Sequence, residues 1–133
     1  MQKHAIRRDR RATRRTLRAT LRQRSTAGRL AASCRRRPRS LATVAVASGV
    51  AKDTVTGIAN GLRTVAKRLG VTPAEQARTK RTVTGGRGRK TRSVAHWTLA
   101  QVARLVAAYR PRKAEFKAAA ALIAAFTLAG VAA

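Results

Sequence analysis

Residues 41–60 read LATVAVASGVAKDTVTGIAN, and their spacing decides the fold. Ala45 is small at the point where two closely crossing helices need room. Gly49 follows four residues later, where a tight turn calls for positive φ, a conformation glycine adopts at no steric cost. Val44, Val50, Val55 and Ile58 then fall where two short helices would both turn inward. The pattern predicts a first helix up to about Ala47, a turn at Gly49 and a second helix from about Ala51 to Asn60.

Val44-Ala45, Ser48-Gly49-Val50, Thr54-Val55-Thr56 and Asn60-Gly61 together resemble the helix-turn-helix of the lambda-repressor-like superfamily, in particular its lactose-repressor branch. Residues 62–73, LRTVAKRLGVTP, look like the later helix of Cro-like domains. The resemblance covers about 33 of the 133 residues. It implies an all-α fold, a small helical bundle whose second motif helix enters the DNA major groove N-terminus first. It implies Lys52, Asp53, Thr56, Gly57 and Asn60 as the outward positions. Lys52 is suited to guanine O6/N7, Asn60 to adenine, Thr56 to a thymine methyl and Asp53 to cytosine N4. The plainer reading of the same four polar residues is a solvated helix face. Ala51 stands where the family usually has a Ser or Thr cap, and a missing cap costs about 1 kcal/mol.

Beyond Asn60 the sequence predicts a short loop, a supporting helix over 62–70 ending at Gly70, and a new helix start at Thr72-Pro73-Ala74-Glu75. The stretch RTVTGGRGRKTRSV, residues 81–94, reads as a basic loop or linker, with a β-hairpin wing as the alternative. Arg87, Arg89, Lys90 and Arg92 in it are candidates for the DNA backbone or a narrow minor groove. After Trp97, the spacing of Leu99, Val102, Val106 and Tyr109, joined by Leu105, predicts an amphipathic helix over Thr98–Tyr109. Pro111 ends it, and a last helix is expected over about Lys113–Ala132.

Charge adds the partner. The chain carries 31 Lys and Arg against 4 Asp and Glu, a net charge of +27, which calls for a polyanion. Residues 1–40 hold 15 of the cations against one acid, and residues 73–92 hold 7 against one. Residues 41–72 between them hold only 4. Cations that recur at spacings of three and four, as Arg11, Arg14, Arg15 and Arg18 do, repel one another along a helix. The N-terminal forty residues therefore read as a basic arm ordered by phosphate, or as a disordered tail or a helix with a basic outer face. Arg35, Arg36, Arg37 and Arg39 at its end, with Arg63 and Lys67 further on, are the other candidate backbone contacts.

The same composition argues against an enzyme. Asp9, Asp53, Glu75 and Glu115 are too scattered to pair in general acid–base work or to hold magnesium. His4, His96 and Cys34 cannot complete a four-ligand zinc site, and one cysteine forms no internal disulfide. No cofactor and no metal are expected. Residues 118–133 carry no charge and are mostly Ala, which suits packing on the body or pairing of two subunits better than spanning a bilayer.

The expected organisation is a basic arm or helix over 1–38, a DNA-binding core over 39–80, a basic loop or wing over 81–95 and C-terminal helices over 96–133. The expected function is that of a double-stranded DNA-binding protein, a small transcriptional regulator or a plasmid or phage replication or maintenance factor. It would reside in the cytoplasm with the nucleoid and pair as a homodimer through its C-terminal helix. Non-specific DNA or RNA compaction, and a membrane-associated transfer role, are the alternatives.

Overall fold

The computed structural model describes residues 2–82 and 89–132. These form helices α1 (Gln2–Arg36), α2 (Leu41–Ala47) and α3 (Lys52–Leu69), strands β1 (Glu75–Thr82) and β2 (Arg89–His96), and helices α4 (Leu99–Ala108) and α5 (Ala114–Ala132). The fold is mostly helical, as expected, with one small antiparallel sheet among the described residues.

The residues that predicted the first turn sit as their chemistry requires. Ser40 caps α2, its hydroxyl accepting the Thr43 amide at 3.2 Å. Gly49 adopts φ +87° and turns the chain into α3. Val44, Ala45 and Ile58 are wholly buried, and Val50 and Val55 nearly so. Each fully buried aliphatic side chain contributes about 1.5–3 kcal/mol.

Helix α3 corrects the first expectation. There is no loop between Asn60 and Leu62: one 18-residue helix runs from Lys52 to Leu69. Its inward face continues without a break through Val55, Ile58, Ala59, Leu62, Val65 and Ala66. Glycine inside a helix costs only about 1 kcal/mol relative to Ala, and burying Leu62 and Val65 outweighs it. The helix ends where predicted, at Gly70 in the left-handed conformation (φ +67°).

The second correction follows directly. Thr72–Glu75 does not start a helix; β1 begins at Glu75 and pairs antiparallel with β2, from Glu75 opposite His96 to Thr82 opposite Arg89. A helix here would turn Gln76 and Thr79 inward and bury nothing, whereas β1 pairs its inner backbone edge with β2 along eight residues. Residues 81–95 are therefore not a linker, and β1 crosses the expected boundary at residue 80. The tip of the ribbon, with Arg87, lies outside the described residues.

The base of the ribbon is tied to the helices. Arg39 and Trp97 exchange both backbone hydrogen bonds, at 3.0 and 2.8 Å, so the link before α2 forms a bridge with the end of β2. Trp97 is buried in the core. Thr98 then starts α4 with a reciprocal cap, Thr98 and Gln101 each accepting the other's backbone amide. Leu99, Val102, Leu105 and Val106 are buried as the spacing predicted, and α5 closes the body with Ala119, Ile123 and Thr127.

Helix α1 is different in kind. Only its last turns pack, with Cys34 buried and Leu30 half-buried at the α2 side, while residues 2–29 are exposed without interruption. Arg22, Gln23, Thr26 and Ala27 share a hollow with Val46 of α2, and at 1.5 Å per residue the part ahead of them extends about 30 Å.

Candidate nucleic-acid interface

The outward side of α3 gathers six of the residues singled out from sequence: Lys52, Asp53, Thr56, Asn60, Arg63 and Lys67. Lys52, Thr56, Asn60, Arg63 and Lys67 recur at spacings of three and four, and all are exposed. At 100° per residue they fall in an arc of about 80°, and Asp53 and Thr64 flank it. The stripe runs about 22 Å, which matches the reach of one face of a helix laid along a groove. It holds three cations and one carboxylate. Asp53 sits in the first turn of α3, where the helix dipole favours a negative charge.

Two features of the stripe were not visible in the sequence. Arg63 Nη1 donates to Asn60 Oδ1 at 2.6 Å. This bond orients the guanidinium along the stripe and occupies one lone pair of the carboxamide oxygen that would accept from adenine N6. The second lone pair of that oxygen and the amide NH2 remain for a base. Gly57, expected to face outward, is instead half-buried against α5. A Cβ built there would lie 2.7 Å from the Phe116 ring. Four residues on, a Cβ at Gly61 would lie 2.6 Å from the Tyr109 hydroxyl. The two glycines thus form a shallow seat for an aromatic pair from the α4–α5 corner. Lys113 stands over Phe116 at 5.8 Å from the ring centroid, which brings a further cation beside the N-terminal half of the stripe.

The ribbon adds a second wall. Ser40, Ala42, Arg63, Arg92 and Val94 line a hollow of about 240 Å³ between α2, α3 and β2. Arg63 and Arg92 therefore share one concave surface, although 29 residues separate them in sequence. Arg89 and Lys90 lie further along β2 towards the tip, in register with Thr82 and Arg81. His96, at the base, pairs with Glu75 at 3.4 Å across the strands.

The remaining candidates are dispersed. Arg36 and Arg37 are exposed at the end of α1. Arg35 lies beside Gly130, near the C-terminal end of α5. Phe116 marks the opposite end of that helix, about 21 Å away. Arg39 is half-buried with its Nε inside. Burial pushes the Cys34 thiol pKa up, and the Arg39 charge opposes that rise. Cys34 is thereby a structural thiol rather than a reactive one. Burial likewise raises the Tyr109 phenol. Among the described residues no three His, Cys, Asp or Glu side chains come together to hold a metal ion.

No family model, curated protein or solved structure matches the chain.

Proposed function

We propose that this protein binds double-stranded DNA through a helix-turn-helix made of α2 and α3, with the β1–β2 ribbon as a basic wing. The N-terminal half of α3 lies in the major groove, where Lys52, Asp53, Thr56 and Asn60 meet base edges. Arg63 and Lys67 continue along the same stripe to the phosphates. Arg92, with Arg89 and Lys90 beyond it, carries the wing to the flanking backbone. Arg35, Arg36, Arg37 and α1 add contacts that carry no sequence information. The role is that of a small regulator or a plasmid or phage replication or maintenance factor acting on nucleoid DNA, and it uses no cofactor.

One observation carries this reading: a polar and basic stripe on a helix whose opposite face is anchored in the core, entered through a left-handed glycine turn. What supports it over an ordinary solvated face is Arg63, which joins the stripe to the hollow it shares with Arg92.

The α1 rod favours a second reading, compaction of nucleic acid without sequence preference. Its cations face solvent along most of its length and read no bases. Replacing Lys52 and Asn60 together by Ala separates the two. The proposal expects preference for a selected duplex over a scrambled one to fall about tenfold or more, at 1–3 kcal/mol per base contact, with scrambled-DNA affinity nearly unchanged. Equal losses on both duplexes would leave compaction as the function.

A further inference from the structure

The uncharged helix α5 presents two faces. Ala119, Ile123 and Thr127 are sealed into the body. The outer face is exposed and wholly apolar: Ala118, Ala121, Leu122, Ala125, Leu128 and Ala129. Leu122 is 45% and Leu128 69% exposed, unlike the aliphatic residues of the core. By length and hydropathy, Ala114–Val131 would suffice to cross a membrane. To do so it would have to leave the body and strip the core of Ile123, so a partner meets the outer face with the helix in place.

We propose that a second copy of this chain covers it, in an antiparallel pair whose two-fold axis passes beside Ala125. The face is symmetric about that residue. Leu122 and Leu128 lie three positions to either side, and Ala121 and Ala129 four. Antiparallel pairing about Ala125 sets each Leu122 opposite the partner copy's Leu128 and each Ala121 opposite its Ala129. The small residues let the two backbones approach, and the leucines close the ends. Such self-complementarity is what an isologous contact requires. Charge selects the same surface. On a chain of +27, residues 118–133 carry no Lys, Arg, Asp or Glu, so two copies meet there with the least repulsion.

Two properties follow. The stripe from Ala118 to Ala129 is only about 16 Å long. It covers less than the roughly 800 Å² per partner of a standard interface, so the pair forms at high protein concentration. Salt screens the mutual repulsion of two cationic copies, so added salt strengthens the pair. DNA binding responds oppositely, weakening as salt rises. Pairing and DNA binding can therefore fail separately.

Cysteine crosslinking in the full chain, in a Cys34→Ala background, tests the geometry. Ala125→Cys is expected to form a disulfide-linked dimer under mild oxidation, with a yield that rises with salt. Leu122→Cys alone and Leu128→Cys alone are expected to remain monomeric, and a mixture of the two to crosslink. Circular dichroism confirms that each variant is folded; these positions are exposed, so folding should be retained. Self-crosslinking of Leu122→Cys would mean parallel pairing and overturn the proposal. So would an Ala125→Cys protein that stays monomeric at high salt. Partition onto anionic vesicles that is abolished by Leu128→Glu would assign the face to lipid instead.

Discussion

Helices α1 and α3 are both basic, yet α3 is built into the core along its whole length while α1 packs only through its last turns. Its inner face puts Ile58 and Leu62 at the centre of the core, and its outer face is held by what lies beneath. On α1, Arg7, Arg11, Arg14, Arg18 and Arg22 occupy one side, and no residue ahead of Leu30 is more than partly covered. Thr13, Thr16, Thr20 and Thr26 turn their hydroxyls back onto carbonyls four residues earlier, so the rod satisfies itself locally. On the proposed reading, the difference separates two jobs. A fixed helix positions side chains well enough to tell one base from another. A lone rod delivers charge but fixes no register on DNA.

The largest test of that contrast is in the core. Leu62→Ala is expected to cost about 2–5 kcal/mol of global stability. Leu17→Ala with Leu21→Ala on α1 is expected to stay within about 0.5 kcal/mol, because both leucines are already exposed. Urea denaturation followed by circular dichroism reads both. A large loss from the α1 pair would show that the rod is packed in solution, and the contrast would fall.

The second test exchanges charge for neutrality. Replacing Arg7, Arg11, Arg14, Arg18 and Arg22 by Gln in the full chain should leave the unfolding midpoint of the body in place. It should flatten the plot of log affinity against log salt by up to about 4.5, since each phosphate contact contributes roughly 0.9 to the slope. The preference for a selected over a scrambled duplex should survive. Loss of that preference would move the reading function from α3 to α1.

The contrast was only half legible in the sequence. Ala45, Gly49 and the inward valines announced α2, the turn and the start of α3 because helical period and positive φ are local demands. The outward stripe follows from the same period, which places Lys52, Thr56 and Asn60 on one face. What escaped were consequences of distant packing. Gly61 read as a loop because nothing nearby shows that Tyr109 needs its space, and Gly57 read as outward because Phe116 is 59 residues away. The start signal at Thr72-Pro73 was sound locally, but no apolar stripe followed to support a helix, and strand pairing prevailed. The N-terminal helix was one of three open readings, because its like-charge spacing argues against helix while its Ala and Arg content argues for it. Lys113 and the hollow shared by Arg63 and Arg92 had no sequence signal at all.

The smallest test uses two local changes of similar worth. Helix α3 begins at Ala51, in extended backbone (φ −57°, ψ 138°), with no side-chain cap; only the Thr54 amide returns, to the Ala51 carbonyl at 2.9 Å. Ala51→Ser places a hydroxyl where it can accept the Asp53 or Thr54 amide, a gain of about 1 kcal/mol. Gly28→Ala in α1 meets nothing within 4 Å and raises helix propensity by about 1 kcal/mol. Because α3 unfolds only with the core, the Ala51 variant should raise the cooperative midpoint by the full amount. The gain at Gly28 should show as added helical signal with the midpoint unmoved, since the rod ahead of Leu30 is free to fray while the body stays folded. If Gly28→Ala shifts the midpoint as far as Ala51→Ser does, α1 and the body melt as one unit, and the rod is coupled to α3 rather than merely attached to it.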